Sequence, residues 1–283
     1  MPDQNKTKDE SPITPNPSVK VTLAWSDIKD HFSKDLKKAA RKVKLAGFRQ
    51  GNVPLKLAKP HVNLEHIKSH IAEHFASEKF TEIAKKKNLK LLTNPELLLI
   101  SAEEGKDWEV EISYAEAPVI KLGKYKPVVK KALKEAAKKI AEPENKNLEQ
   151  ERAVFQALVK FIKPQIPELM VRHETNHRLE ESIQQFNQMK MDIQDYLKQR
   201  GMTSRQFVEE KQIQALASLQ LEFVLQALTE DLKVKVEDKE IDTQLEEIKD
   251  GKIKAQAKKD DRYRAHITRS LERKKTIELL LSL

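Results

Sequence analysis

The pentapeptide His173-Glu174-Thr175-Asn176-His177 has the H-E-x-x-H spacing of a zinc hydrolase. On a helix that spacing turns two imidazoles toward one metal, with Glu174 as general base and a third ligand from elsewhere. Arg172 and Arg178 sit directly against the two histidines, the chain continues into the polar run "RLEESIQQ", and no third ligand stands out downstream. A polar helix face is the better reading. His66, His70 and His74 share another face at i, i+4 and i+8. Their outer pair stand about 12 Å apart along a helix axis, so one ion reaches two of them and not three. The chain has no phosphate-cradling glycine loop and no nucleophile elbow. It has no cysteine either, which excludes disulfides and thiolate zinc sites. No catalytic residue, metal or cofactor is expected.

The segment "GFRQG" offers a different chemistry. Gly47 and Gly51, two of only six glycines in the chain, frame Phe48, Arg49 and Gln50. Glycine lets the backbone turn sharply, Phe48 supplies apolar area, and the Arg49 fork suits a carboxylate or phosphate. Behind it lie Arg41, Lys42 and Lys44, within a stretch from Leu36 to Leu64 that holds eight basic residues and no acidic one. Such a field attracts polyanions, chiefly RNA, and raises encounter rates at low salt. The plain alternative is a helix C-cap and turn beside a solvated lysine face.

The elements that must hold this segment are legible from periodicity. Val19, Val21, Leu23 and Trp25 alternate as in a half-buried strand. Ser26 or Asp27 then caps a helix with Ile28, Phe32, Leu36, Ala40 and Val43 inward. Lys42 and Lys44 fall in its last turn, and Gly47 ends it. Asn63 caps a second helix to about Lys87, with Ile67, Ile71, Phe75 and Ile83 inward. Two more strand-like stretches follow, the second alternating Trp108, Val110, Ile112 and Tyr114.

Beyond Leu122 the pattern turns helical. The lysine and alanine run from Lys126, broken at Pro143, reads as a solvated connecting helix. Leu179, Ile183, Phe186, Ile193 and Leu197 form one stripe, which Gly201 stops. "TSRQ" (Thr203 to Gln206) matches a capping box. The helix it starts carries two stripes: Leu216, Leu219 and Phe223, and Leu221, Leu225, Leu228 and Leu232. A helix apolar on more than one side packs between others. A last helix runs from about Tyr263 to Leu281.

These elements describe an α+β N-terminal module followed by a mainly α-helical C-terminal domain. A disordered tail covers residues 1–18, the α+β module 19–122, a helical linker 123–165, and the helical domain 166–283. Length fits about two domains, and 34% charged residues with scarce glycine suit long solvated helices. No apolar run is long enough to span a bilayer, and the start of the chain lacks a secretory core. A cytoplasmic protein without a membrane partner is expected.

"GFRQGNVP" resembles the signature loop of bacterial trigger factor, the ribosome-associated chaperones, whose pattern is G-F-R-x-G-x-V-P. The likeness extends through "SDIKDHFSKDLKKAARKVKLAGF" and "WEVEISYAEAPVIKLGKY". The later "IPELMVRHETNHRLEESIQQF" and "DYLKQRGMTSRQFVEE" are similar to the family's helical substrate-binding domain, with its extended helical arms. The resemblance implies docking near the nascent-chain exit of the large ribosomal subunit, on protein and rRNA. Gly47, Phe48, Arg49, Gln50 and Gly51 would make the contact, backed by Arg41, Lys42 and Lys44. Unfolded or nascent polypeptides would be the clients, with a homodimer as a state off the ribosome. Adaptable apolar contacts for them would come from Met170, Phe186, Met189, Met191, Met202, Phe207 and Leu232. Two departures stand out: Gln50 replaces the family's usual lysine, and only about 43 residues of lysine-rich helical sequence occupy the place of the usual FKBP-type prolyl isomerase domain. The resemblance therefore implies a chaperone without isomerase activity. A holdase that works off the ribosome and an RNA-binding protein are the alternatives.

Overall fold

The computed structural model of the chain describes residues 11–139, 146–246, 257 and 260–283. It divides into two compact units. One comprises Pro15–Ala117 and Pro167–His173; the other comprises Pro118–Ile166 and Glu174–Leu283, with residues 11–14.

The first unit is α+β. Strand β1 (Ser18–Leu23) leads into helix α1 (Trp25–Ala40), then the short α2 (Leu55–Ala58) and the long α3 (Leu64–Lys87). Strands β2 (Glu96–Ser101) and β3 (Trp108–Ser113) follow. The sheet is antiparallel in the order β1-β3-β2, and Val110 faces both Val21 and Leu99. The alternation expected in the central strand holds, with Trp108, Val110 and Ile112 fully buried. Helices α1 and α3 cover this face with Ile28, Phe32, Leu36, Ile67, Ile71 and Phe80. Burying each such side chain contributes roughly 1.5–3 kcal/mol. The rings of Trp25, Phe32 and Trp108 meet at centroid distances of 5.7, 6.0 and 6.3 Å.

Capping in this unit is partly long-range. Asn63 caps α3 as expected, its side chain accepting the His66 N–H at 3.0 Å. Neither Ser26 nor Asp27 caps α1. Ala24 occupies that position, and the Asp107 carboxylate accepts the Trp25 N–H at 2.8 Å. The stretch read as a tail is also partly tied down. Residues 1–10 lie outside the described residues, but Asn16 accepts the Leu169 N–H at 2.8 Å and donates to Glu168 at 2.7 Å. Leu169 belongs to the opening turn of α6 (Glu168–Gln188), whose first N–H groups need such a partner.

The second unit is helical: α4 (Tyr125–Lys139), α5 (Lys146–Ile162), most of α6, α7 (Ile193–Gln199), α8 (Ser204–Asp231), α9 (Asp238–Glu246) and α10 (Asp261–Leu281). The stretch 123–165, read as a solvated connector, contributes to the core. Tyr125, Val129 and Ala132 of α4 and Val154 and Leu158 of α5 are buried with Val224, Leu225 and Leu228 of α8 and Leu280 of α10. Small, sparse apolar residues at helical spacing are enough for that, while lysines cover the outer face. Pro143 lies outside the described residues. Helix α8 packs between others, as its two stripes require, and Thr203 with Gln206 forms the expected reciprocal cap. The Tyr125 hydroxyl donates to Asp231 at 2.8 Å, joining α4 to the end of α8.

The stripe from Leu179 to Leu197 is not one helix. Helix α6 ends at Gln188, Lys190 takes φ +53°, and Asp192 caps α7 by accepting the Gln194 N–H. The break lets Phe186 pack against Tyr196 at 4.7 Å between centroids, with Phe207 of α8 beside both. Among the described residues no helix is long and apolar enough to cross a membrane.

Candidate functional site

Helix α1 stops at Ala40, short of Val43 and of the glycine expected to end it. Val43 and Leu45 instead join Ala40, Val53, Ala58 and Val62 in a small separate apolar cluster. Lys42 and Lys44 therefore lie beyond the helix rather than in its last turn.

From Leu45 the chain makes two turns in succession. The Phe48 N–H donates to the Leu45 carbonyl at 3.1 Å, and the Asn52 N–H to the Arg49 carbonyl at 3.0 Å. Gly47 (φ +85°) and Gly51 (φ +90°) each occupy the third position of their turn. That is where a type II turn demands positive φ, which a residue with a side chain adopts only with strain. The pair of glycines thus holds Phe48, Arg49 and Gln50 outward between two tight bends. Phe48 is 41% exposed despite its large ring, and Arg49 and Gln50 are exposed beside it.

The cations behind the tip are available. Arg41, Lys42, Lys44 and Arg49 are exposed and have no ion-pair partner among the described residues. A shallow groove of about 480 Å³ lies beside them, lined by Lys38, Lys42, His61, Asn63, His66 and His70, among others. Its one carboxylate, Asp35, is engaged by Lys38 at 3.0 Å and His70 at 3.5 Å. The tip and groove together present positive charge, donors and one exposed phenyl ring. That set suits a phosphate-bearing surface with an apolar niche.

The histidine motifs are absorbed differently. His66 lines the groove, His70 meets Asp35, and His74 stands 4.0 Å from Glu78, so the three do not converge. In the pentapeptide, His173 lies 3.4 Å from Glu96, Glu174 pairs with Arg178 at 2.8 Å, and His177 lies 3.8 Å from Glu181. The would-be base is thus held by an arginine. Among the described residues no three side chains are gathered to hold a metal.

The apolar residues expected to meet clients divide by burial. Met170 is 6% exposed and belongs to the interior, where it offers no free surface. Phe207 is also buried, under Phe186, Tyr196 and the Lys211 ammonium. Leu232 packs against the bundle core, and Phe186, Met191 and Met202 are half-buried. Met189 is 67% exposed. Ile213, Ile183 and Val208 are exposed as well, Ile213 to 69%. Ile213 and Val208 are not among the expected contacts, and Ile183 belongs to the stripe that runs from Leu179 to Leu197. Ile213 was findable, since it stands between two glutamines and off both stripes of α8.

Comparison with known proteins gives a consistent picture. Residues 6–151 match the family model described as bacterial trigger factor protein, and residues 122–282 match the model of the trigger factor C-terminus. A trigger factor of Clostridium botulinum (strain Hall) is 28% identical over 137 residues, 48% of this chain and 32% of that protein. One of Leptospira interrogans (serovar Lai) is 30% identical over 123 residues, 44% of this chain and 27% of that protein. The matched segments span about a third of these relatives or less. A solved structure from work on promiscuous substrate recognition in folding and assembly by the trigger factor chaperone has a TM-score of 0.57. It covers 94% of this chain and 96% of its own at 12% identity, which is a likeness of fold.

Proposed function

The chain belongs to the bacterial trigger factor family, and from that premise we propose that it is a cytoplasmic, ribosome-associated chaperone. The tip docks at the large ribosomal subunit near the nascent-chain exit, and the helical unit holds unfolded or emerging polypeptides. The observation that carries this reading is the pair of positive-φ glycines holding exposed Phe48 and Arg49 in front of unpaired cations. In functional terms residues 19–122 form the docking module and 166–283 the client-holding part. The helices of 123–165 complete the bundle where an isomerase domain is usual in the family. Met189, Ile183, Ile213 and Val208, with the half-buried Phe186, Met191 and Met202, supply the adaptable apolar contacts such clients need.

Pelleting with large subunits at low and high salt tests the docking. Wild-type protein co-sediments in a salt-sensitive way, and Phe48→Ala with Arg49→Ala abolishes it. Undiminished binding of the double variant refutes the assignment. The isolated protein slows aggregation of a denatured client and shows no prolyl isomerase activity above background. A second reading, a holdase acting free of the ribosome as a homodimer, is favoured by the uncharged, exposed Gln50. It gains if client protection survives while subunit binding is absent at every salt.

A further inference from the structure

Helix α4 carries a charge pattern that neither the tip nor the bundle core explains. Lys126, Lys130, Lys134 and Lys138 recur every fourth residue and are all exposed. Tyr125, Val129, Ala132 and Ala136 are buried on the opposite face. The one ion pair on this helix among the described residues is Lys131 with Glu135 at 3.9 Å, beside the row. The four lysines themselves have no ion-pair partner among the described residues. Their positions are spaced by about 6 Å along the helix axis and span about 18 Å.

Only Lys138, in the last turn, suits the dipole of the helix; the rest of the row does not serve it. Like charges at i, i+4 repel one another, and Lys126 sits in the first turn, where the dipole disfavours a cation and no acidic residue offsets it. Elsewhere the chain uses the stabilising choice, as in Glu174 with Arg178 and Arg205 with Glu209. A cation row that works against its own helix points to an external anion. Stable seating in a lipid surface takes an apolar face as well as charge, and the apolar face of α4 is committed to the core, which leaves only weak electrostatic adsorption. An extended phosphodiester strand fits better. It carries one negative charge per nucleotide, and an extended strand can lay successive phosphates along the row. Lysines, as flexible point charges, grip such a backbone without reading bases.

We propose that α4 is a rail for the phosphate backbone of RNA, a polyanion contact separate from the tip. Which RNA it meets rests on the ribosome-associated reading, under which it is ribosomal; the existence of the rail does not. The test uses the full chain and a labelled single-stranded oligouridylate, titrated between about 50 and 200 mM salt. Replacing the four lysines by glutamine lowers RNA affinity at least ~10-fold at the low-salt end and flattens the log–log salt slope by about 3. A four-arginine variant keeps both. The glutamine variant melts at or above the wild type, because repulsion has been removed. In the same assay Phe48→Ala with Arg49→Ala changes the slope by about 1 at most. Unchanged affinity and slope in the glutamine variant overturn the rail. So does lysine-dependent binding to phosphatidylserine vesicles with no binding to RNA. Failure of the docking reading looks different: the tip variant then binds large subunits normally whatever happens on free RNA.

Discussion

Gln50 occupies the second position of the turn closed by Arg49 and Asn52, exposed beside the Arg49 guanidinium. A lysine there would add one charge to a field whose groove carboxylate, Asp35, is already engaged by Lys38 and His70. Gln50→Lys is expected to tighten binding to large subunits about 3- to 10-fold at low salt and to steepen the salt slope by nearly 1. Equal affinity of the two proteins at every salt would remove this position from the contact. The residue types at the tip were legible in the sequence, because glycine is rare here and two frame an aromatic and an arginine. Their geometry was not. Helix α1 stops at Ala40, and Val43 and Leu45 beyond it pack with Val53 and Ala58, which no local pattern announces. Burial at Met170 was hidden for the same reason, since an adaptable side chain fits a core as readily as a surface.

Elements were readable where their ends carry conventional signals and obscure where they do not. Asn63 and the Thr203–Gln206 box mark true starts. The first turn of α1 is closed by Asp107, some eighty residues away, which sequence inspection cannot pair with it. Helix ends were harder still. Lys163, Lys190 and Lys233 adopt φ of +50°, +53° and +50°, where glycine is the usual occupant, so the stop after α6 is written in a residue that reads as helical. Packing between elements also yields a pH dependence. Burial, reinforced by donation to Asp231, pushes the Tyr125 hydroxyl from its usual value near 10 up to about 12. The neutral form is thus favoured on folding. Its contribution is complete below pH 10 and is lost as pH rises toward 12. Tyr125→Phe is expected to cost about 1 kcal/mol near neutrality and to make the alkaline decline in melting temperature shallower. Parallel declines for the two proteins would show that this hydroxyl is not linked to the stability of the bundle.

Among the described residues the main hydrophobic core of each unit shares no residue with that of the other, and the first alone contains tryptophan, Trp25 and Trp108. Indole fluorescence therefore reports the α+β unit, while ellipticity is dominated by the helices. Leu158→Ala, at a fully buried position in the bundle, should cost about 2–5 kcal/mol. The ellipticity transition is expected to shift to lower temperature while the fluorescence transition stays in place; a common shift of both would show that the cores melt as one. The α+β order, the last helix and the central packing of α8 followed from periodicity. The place of α4 and α5 in the bundle did not, because lysine-rich composition masks a narrow buried face. One further consequence comes from the way the tip is closed. Its two bends are secured by backbone groups within eight consecutive residues, and a methyl group added at either glycine would touch nothing nearby. Selection acting on the three side chains between those bends has little to disturb in the remainder of the polypeptide. Under the docking proposal, affinity at the tip can change by single substitutions while foldedness is inherited unchanged.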